Sequence, residues 1–112
     1  MGFLSRFKGR ERGSLSPEQN MDVLKGVKEK LSSCMMMDQP FKLRETVADV
    51  LTEKHFDDTG VGCKQEVFIS GLVAQACGLS DTDLAQAQTA LDAMTDAKQR
   101  KAVMDTAVRY AQ

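Results

Sequence analysis

The 112-residue chain has no tryptophan, and aromatic residues make up only 5% of it. A core built on stacked rings is therefore excluded, and Leu, Val, Ile, Ala and Met must fill the interior. No apolar run approaches the length of a membrane span. Residues 1 to 15 lack an uninterrupted apolar stretch, so no secretory signal is expected. The three cysteines, Cys34, Cys63 and Cys77, are odd in number and form no C-x-x-C pair. That excludes a disulfide framework as the organising device and fits a reducing, cytoplasmic setting, with the thiols acting as small buried hydrophobes. Only one histidine is present, His55. A catalytic triad has nothing to converge on, and a zinc site built on His55 and Cys63 lacks two further ligands. There is no Walker loop, no G-x-G-x-x-G and no H-E-x-x-H. An EF-hand over Asp57 to Phe68 fails as well, because Thr59, Val61 and Phe68 stand at three of its ligand positions.

What the chain does have is helical periodicity. Ser16-Pro17-Glu18-Gln19 reads as a helix start, with Ser16 as cap, Pro17 in the first turn and Gln19 closing a capping box. Met21, Leu24, Val27 or Lys28, Leu31 and Met35 then recur at helical spacing, and the helix should end near Met37. Asp38-Gln39-Pro40 breaks it, with Asp38 placed to cap the next helix. Leu43, Val47, Val50 and Leu51 form the buried stripe of that second helix, which should run out near His55. A third helix begins near Cys63. Its run of Val67, Phe68, Ile69, Leu72, Val73 and Ala74 leaves little polar face, which makes it the expected central helix. Ser70-Gly71 in its middle would admit a close neighbour. Gly78 reads as a left-handed stop with Leu79 as its clasp. Ser80 with Asp83 should start a fourth helix, with stripe Leu84, Ala87, Leu91 and Met94. Thr95 and Asp96 should start a fifth, facing Val103, Met104, Ala107, Val108 and Ala111 inward. The expected fold is all-α, a compact bundle of four to five short helices over residues 16–112.

Charge divides the chain unevenly. Residues 1 to 12 hold Arg6, Lys8, Arg10 and Arg12 against the single Glu11, whereas residues 65 to 97 contain five carboxylates and no Lys or Arg. The first 15 residues are read as a flexible basic tail. Phe3, Leu4 and Phe7, with Arg6, Lys8 and Arg10 around them, have the composition of a weak anchor for an anionic membrane surface. Leu72 to Leu84 has the outline of a helix-turn-helix. Its second helix, however, offers Asp81, Asp83 and Asp92 and no cation for phosphates, so no nucleic-acid partner is expected. The net charge of -1 points the same way.

A loose pattern occurs twice. Asp38-Gln39-Pro40-Phe41 leads to Glu45, and Asp58-Thr59-Gly60-Val61 leads to Glu66. Together with Gly78-Leu79-Ser80, this resembles the acidic loop-helix motif and Gly-Leu-Ser turn of TerB-like domains, the tellurite-resistance family of small helical proteins. The resemblance implies a divalent-cation site, calcium or magnesium, on Asp38, Glu45, Asp58 and Glu66. The residues themselves also allow these acids simply to sit at helix starts. Met35, Met36 and Met37 would suit a pliable partner surface where exposed; three consecutive helical positions cannot all face one core, so at least one should be exposed or pack against the tail while the others fill the core. These features favour a non-enzymatic protein-interaction module, a cytoplasmic bacterial adaptor or regulator without a cofactor. Its partner would be met through the methionine patch or through the acidic surface around Asp81 and Asp83. A TerB-like metal-binding stress-response domain and a membrane-peripheral adaptor are the alternatives. Nothing in the sequence fixes the oligomeric state.

Overall fold

The computed structural model describes residues 15–112. Five helices follow in order: α1 (Pro17–Met36), α2 (Leu43–Glu53), α3 (Lys64–Ala76), α4 (Leu84–Ala93) and α5 (Ala97–Ala111). No strand occurs among the described residues. The all-α expectation holds, and so do most of the boundaries. The basic segment expected over residues 1–15 lies largely outside the described residues.

Three helix starts are written locally. Ser16 Oγ accepts from the Gln19 N–H while Gln19 Oε1 accepts from the Ser16 N–H, a complete capping box. Cys63 plays the same part for α3, its Sγ accepting from the Glu66 N–H at 3.3 Å. Asp96 caps α5 by accepting from the Lys98 N–H.

The start of α2 is different. Asp38 does not cap it, since the N-cap is Lys42 and no side chain of the segment bonds back. Gln88 of α4 supplies the missing group. Its Oε1 accepts from the Leu43 N–H at 2.6 Å and its Nε2 donates to the Phe41 carbonyl at 2.6 Å. One amide thus satisfies a donor and an acceptor on either side of Lys42, both of which would otherwise lose water at a packed junction. The start of α4 also lies later than expected. Ser80 is not its cap; Ser80 donates to Asp83, which holds the N-cap position with no side-chain cap bond of its own.

The first three helices end alike. Asp38, His55 and Gly78 each follow the last capping residue with positive φ, at 53°, 59° and 84°. Behind them the N–H groups of Gln39, Phe56 and Leu79 reach back to the carbonyls of Cys34, Leu51 and Ala74. This is the Schellman arrangement, in which a left-handed residue turns the chain so that two orphan carbonyls are satisfied. Glycine adopts that conformation without a Cβ penalty at Gly78, whereas Asp38 and His55 adopt it under strain.

The core runs through all five helices. Leu24, Val27 and Leu31 of α1 and Leu43, Val47 and Leu51 of α2 meet Ile69, Val73 and Ala74 of α3. Ala87, Leu91, Met104 and Ala107 close it from α4 and α5. Burying each large aliphatic side chain contributes about 1.5–3 kcal/mol. Helix α3 packs against each of the other four, which confirms it as the central element. Its surroundings are more polar than its sequence suggests. Gln65, Glu66 and Ser70 are buried while Val67 is exposed. Gly71 gives the expected close approach, but the neighbour is the loop before α4: a Cβ there would lie 2.9 Å from Asp81 Cβ.

Candidate functional site

The chemistry-bearing residues sort into three places. The first is the junction of α2, α3 and the loop between them. Glu66, in the first turn of α3, has a fully buried side chain. Burying a carboxylate is costly unless its oxygens are well bonded. Here the donors come from three directions. The Arg44 guanidinium reaches across from α2, with Nε and Nη2 at 2.6–2.9 Å. The Gly62 N–H donates to Oε1 at 2.7 Å, and Ser70 Oγ donates to Oε2 at 2.9 Å. Burial by itself pushes the Glu66 carboxyl upward. The Arg44, Gly62 and Ser70 hydrogen bonds, with the Arg44 charge, outweigh burial and hold it below the usual carboxylate range. Its hydrogen bonds and charge raise Arg44 in turn. The anion therefore pins the 57–63 loop to both helices. Cys63 and His55 are structural parts: Cys63 caps α3, and His55 is the left-handed residue ending α2.

The four nominated metal ligands do not converge. Asp38 terminates α1 and Asp58 lies in the α2–α3 loop, both exposed with left-handed backbone. Glu45 is exposed in the first turn of α2. Glu66 is committed to Arg44, Gly62 and Ser70. Among the described residues no group of three or more His, Cys, Asp or Glu side chains is arranged to hold a metal ion.

The second place is the crossing of α1 and α2. Gly26, Ser33, Val50, Lys54 and their neighbours line an open groove of about 400 Å³. Lys30 and Glu53 pair across it at 2.8 Å. The hydrogen bond to Glu53 raises the Lys30 pKa. On the opposite side of α1, Lys28 reaches Asp105 of α5 at 3.1 Å.

The third place is the C-terminal end of α1. Met36 is 87% exposed and Met37 63%, the two most exposed large apolar residues described. Met35 is half-buried. The acidic candidates look different. Asp81 packs beside Gly71, and Asp83 accepts from Ser80 at the start of α4. Both are half-buried parts of a turn. Asp92 is exposed and accepts from Gln88 at 2.8 Å.

The nominated membrane contacts, Phe3, Leu4, Arg6, Phe7, Lys8 and Arg10, lie outside the described residues. No described helix is long and apolar enough to cross a membrane.

Two residues of consequence escape a reading of the sequence. Arg44 carries no motif, and its partner stands 22 residues away. Gln88 lies 45 residues from the N–H that it caps. Glu66 did leave a signal, since Cys63-Lys64-Gln65-Glu66 repeats the spacing of the Ser16 capping box.

Compared with protein-family models, curated proteins and solved structures, the chain gives no match. The TerB-like resemblance accordingly rests on its motifs.

Proposed function

We propose that the chain is a non-enzymatic interaction module, a cytoplasmic bacterial adaptor or regulator, that meets a protein partner through the Met36–Met37 end of α1. The observation that carries this is the exposure of two adjacent methionines on a well-capped helix end. Fully burying a methionine contributes about 1.5–3 kcal/mol, so the pair is enough to dominate a small interface. Its unbranched thioethers adapt to irregular partner surfaces. The distribution of polar chemistry supports a non-enzymatic role. Glu66 and Arg44 neutralise each other, Lys30 is held by Glu53, and burial raises the Cys77 thiol. None of these groups is left poised to donate or accept a proton in a cleft. Helix α4 carries no cation, which is against nucleic acid as the partner.

The test is a native co-purification of the full chain beside Met36→Lys/Met37→Lys. Lysines at a helix C-terminus complement its dipole, so helicity and melting should be retained. A partner held by the wild type and lost by the variant is the expected result. An unchanged set of partners on a folded variant would refute the assignment.

A further inference from the structure

The methionines of this domain differ sharply in access. Met104 is wholly buried in the core. Met21 and Met94 are half-buried against it. Met36 and Met37 stand in solvent. Their backbone is secured independently of their side chains, since the N–H groups of Met37, Asp38 and Gln39 bond to the carbonyls of Ser33, Met35 and Cys34. A chemical change confined to these two thioethers therefore alters the surface without loosening the helix end.

We infer that Met36 and Met37 form a reversible oxidation site for hydroperoxides, and that their oxidation switches off the contact surface. The switching half rests on the function proposed above; the selectivity of oxidation does not. In the forward step a thioether sulfur lone pair attacks the terminal oxygen of the hydroperoxide. The S–O bond forms as the O–O bond breaks, and the proton carried by the transferred oxygen passes to the leaving oxyanion, which becomes water or an alcohol and leaves a neutral sulfoxide. Sulfur is oxidised by two electrons and the peroxide is reduced by two. A dithiol-dependent sulfoxide reductase reverses this, with the oxygen leaving as water and the dithiol becoming a disulfide. The product is a polar, chiral sulfoxide in place of a flexible apolar group, which opposes burial against an apolar partner. Met35 sits on the same turn but is half-buried, so among the described methionines the exposed pair is the first to meet the oxidant.

The experiment is a time course of the full chain with hydrogen peroxide, read by peptide mass mapping, with helicity and melting followed in parallel. Met36 and Met37 should each gain one oxygen at least about tenfold faster than Met104, whose sulfur meets solvent only on local opening. They should also lead Met21 and Met94. The melting temperature should hold while only this pair is oxidised, and sulfoxide reductase with dithiothreitol should restore the original masses. Equal rates across the methionines, or unfolding that accompanies oxidation of the pair alone, would overturn the site. The switch is read on the partner found with the wild-type chain. Peroxide should release it from the wild type but not from Met36→Leu/Met37→Leu, which is apolar and inert to peroxide. Met36→Gln/Met37→Gln should fail to hold it without peroxide. A partner retained by the oxidised wild type sinks the switch. Selective oxidation with no methionine-dependent partner removes the proposed function and leaves the oxidation site standing.

Discussion

Removing Arg44 should damage this protein more than removing the carboxylate it serves. In Arg44→Met the buried Glu66 loses its cation and keeps only the Gly62 N–H and Ser70 hydroxyl. Stranding one member of a buried pair costs about 3–5 kcal/mol, and the two remaining donors favour the lower end of that range. At about 4–8 °C per kcal/mol for a domain of this size, 3 kcal/mol corresponds to a fall of about 12–24 °C in Tm at neutral pH. Glu66→Gln should cost less, about 1–2 kcal/mol, because Arg44 is 38% exposed and can rehydrate while the amide oxygen still accepts one or two of the bonds. The pH dependence should invert as well. In the wild type the folded pKa of Glu66 lies below its unfolded value. Its stabilising contribution is therefore complete above the unfolded value and is lost as pH falls through the folded one. Without Arg44, burial dominates and the folded pKa rises above the unfolded value. The Arg44→Met protein should then lose stability as pH climbs through the carboxylate range. Urea unfolding from about pH 3 to pH 7, with Arg44→Met/Glu66→Gln as the reference lacking the carboxylate, isolates this contribution. At neutral pH that double variant should be more stable than Arg44→Met alone. If Arg44→Met costs less than Glu66→Gln at pH 7, or runs parallel to the double variant in pH, the account of this ion pair is wrong.

Asp38→Gly and His55→Gly should each raise stability by about 0.5–1 kcal/mol in thermal melts, since left-handed strain is relieved by more than glycine costs in the unfolded chain. Asp38→Gly also removes a negative charge from the unfavourable end of α1. Gln88→Ala should destabilise by about 2–3 kcal/mol in urea titrations, because Leu43 N–H and Phe41 C=O both lose their partner; Gln88→Glu should also be damaging, since an acceptor would face the Phe41 carbonyl. Gly26→Ala should lower Tm despite a gain in helix propensity of about 1 kcal/mol, because its Cβ would stand 2.8 Å from Val50 Cγ1. Adding Val50→Ala should recover part of that loss, and a stabilising Gly26→Ala would show that the α1–α2 crossing is looser than described.

How much of this was legible depends on the range of the interaction. Ser16-x-x-Gln19, Asp96 and Gly78-Leu79 act within a few residues of themselves, so their roles could be read from spacing and are seen in the structure. Asp38 is ambiguous in the sequence, because an acid after one helix and before the next serves equally well as a cap; only the backbone shows that it belongs to the end of α1. The start of α4 was displaced because Ser80 bonds within the turn and to Asp83. In α3, Glu66 and Ser70 are buried polar positions that hydropathy would place outside. Their burial depends on Arg44 arriving from another helix, and pairings between helices leave no periodic trace. Helical geometry requires at least one of Met35, Met36 and Met37 to leave the core; the structure exposes both Met36 and Met37, one more than that geometry demands, because the helix ends there and no other described element covers them.

The amide of Gln88 has a bearing on the order in which the molecule assembles. Helix α2 has 11 residues, too few to persist alone in water. Its first turn is completed by a group that the chain does not reach until 45 residues later. A nascent chain ending at Cys77 would hold α1, α2 and α3 and still leave the Leu43 N–H without its acceptor. The last bonds of the α2 first turn can therefore close only when α4 docks, and loop closure over that span must precede any gain from them. Gln88→Ala should slow refolding only if that latch forms in the transition state; if it closes afterwards, the variant will fold at the wild-type rate and unfold faster.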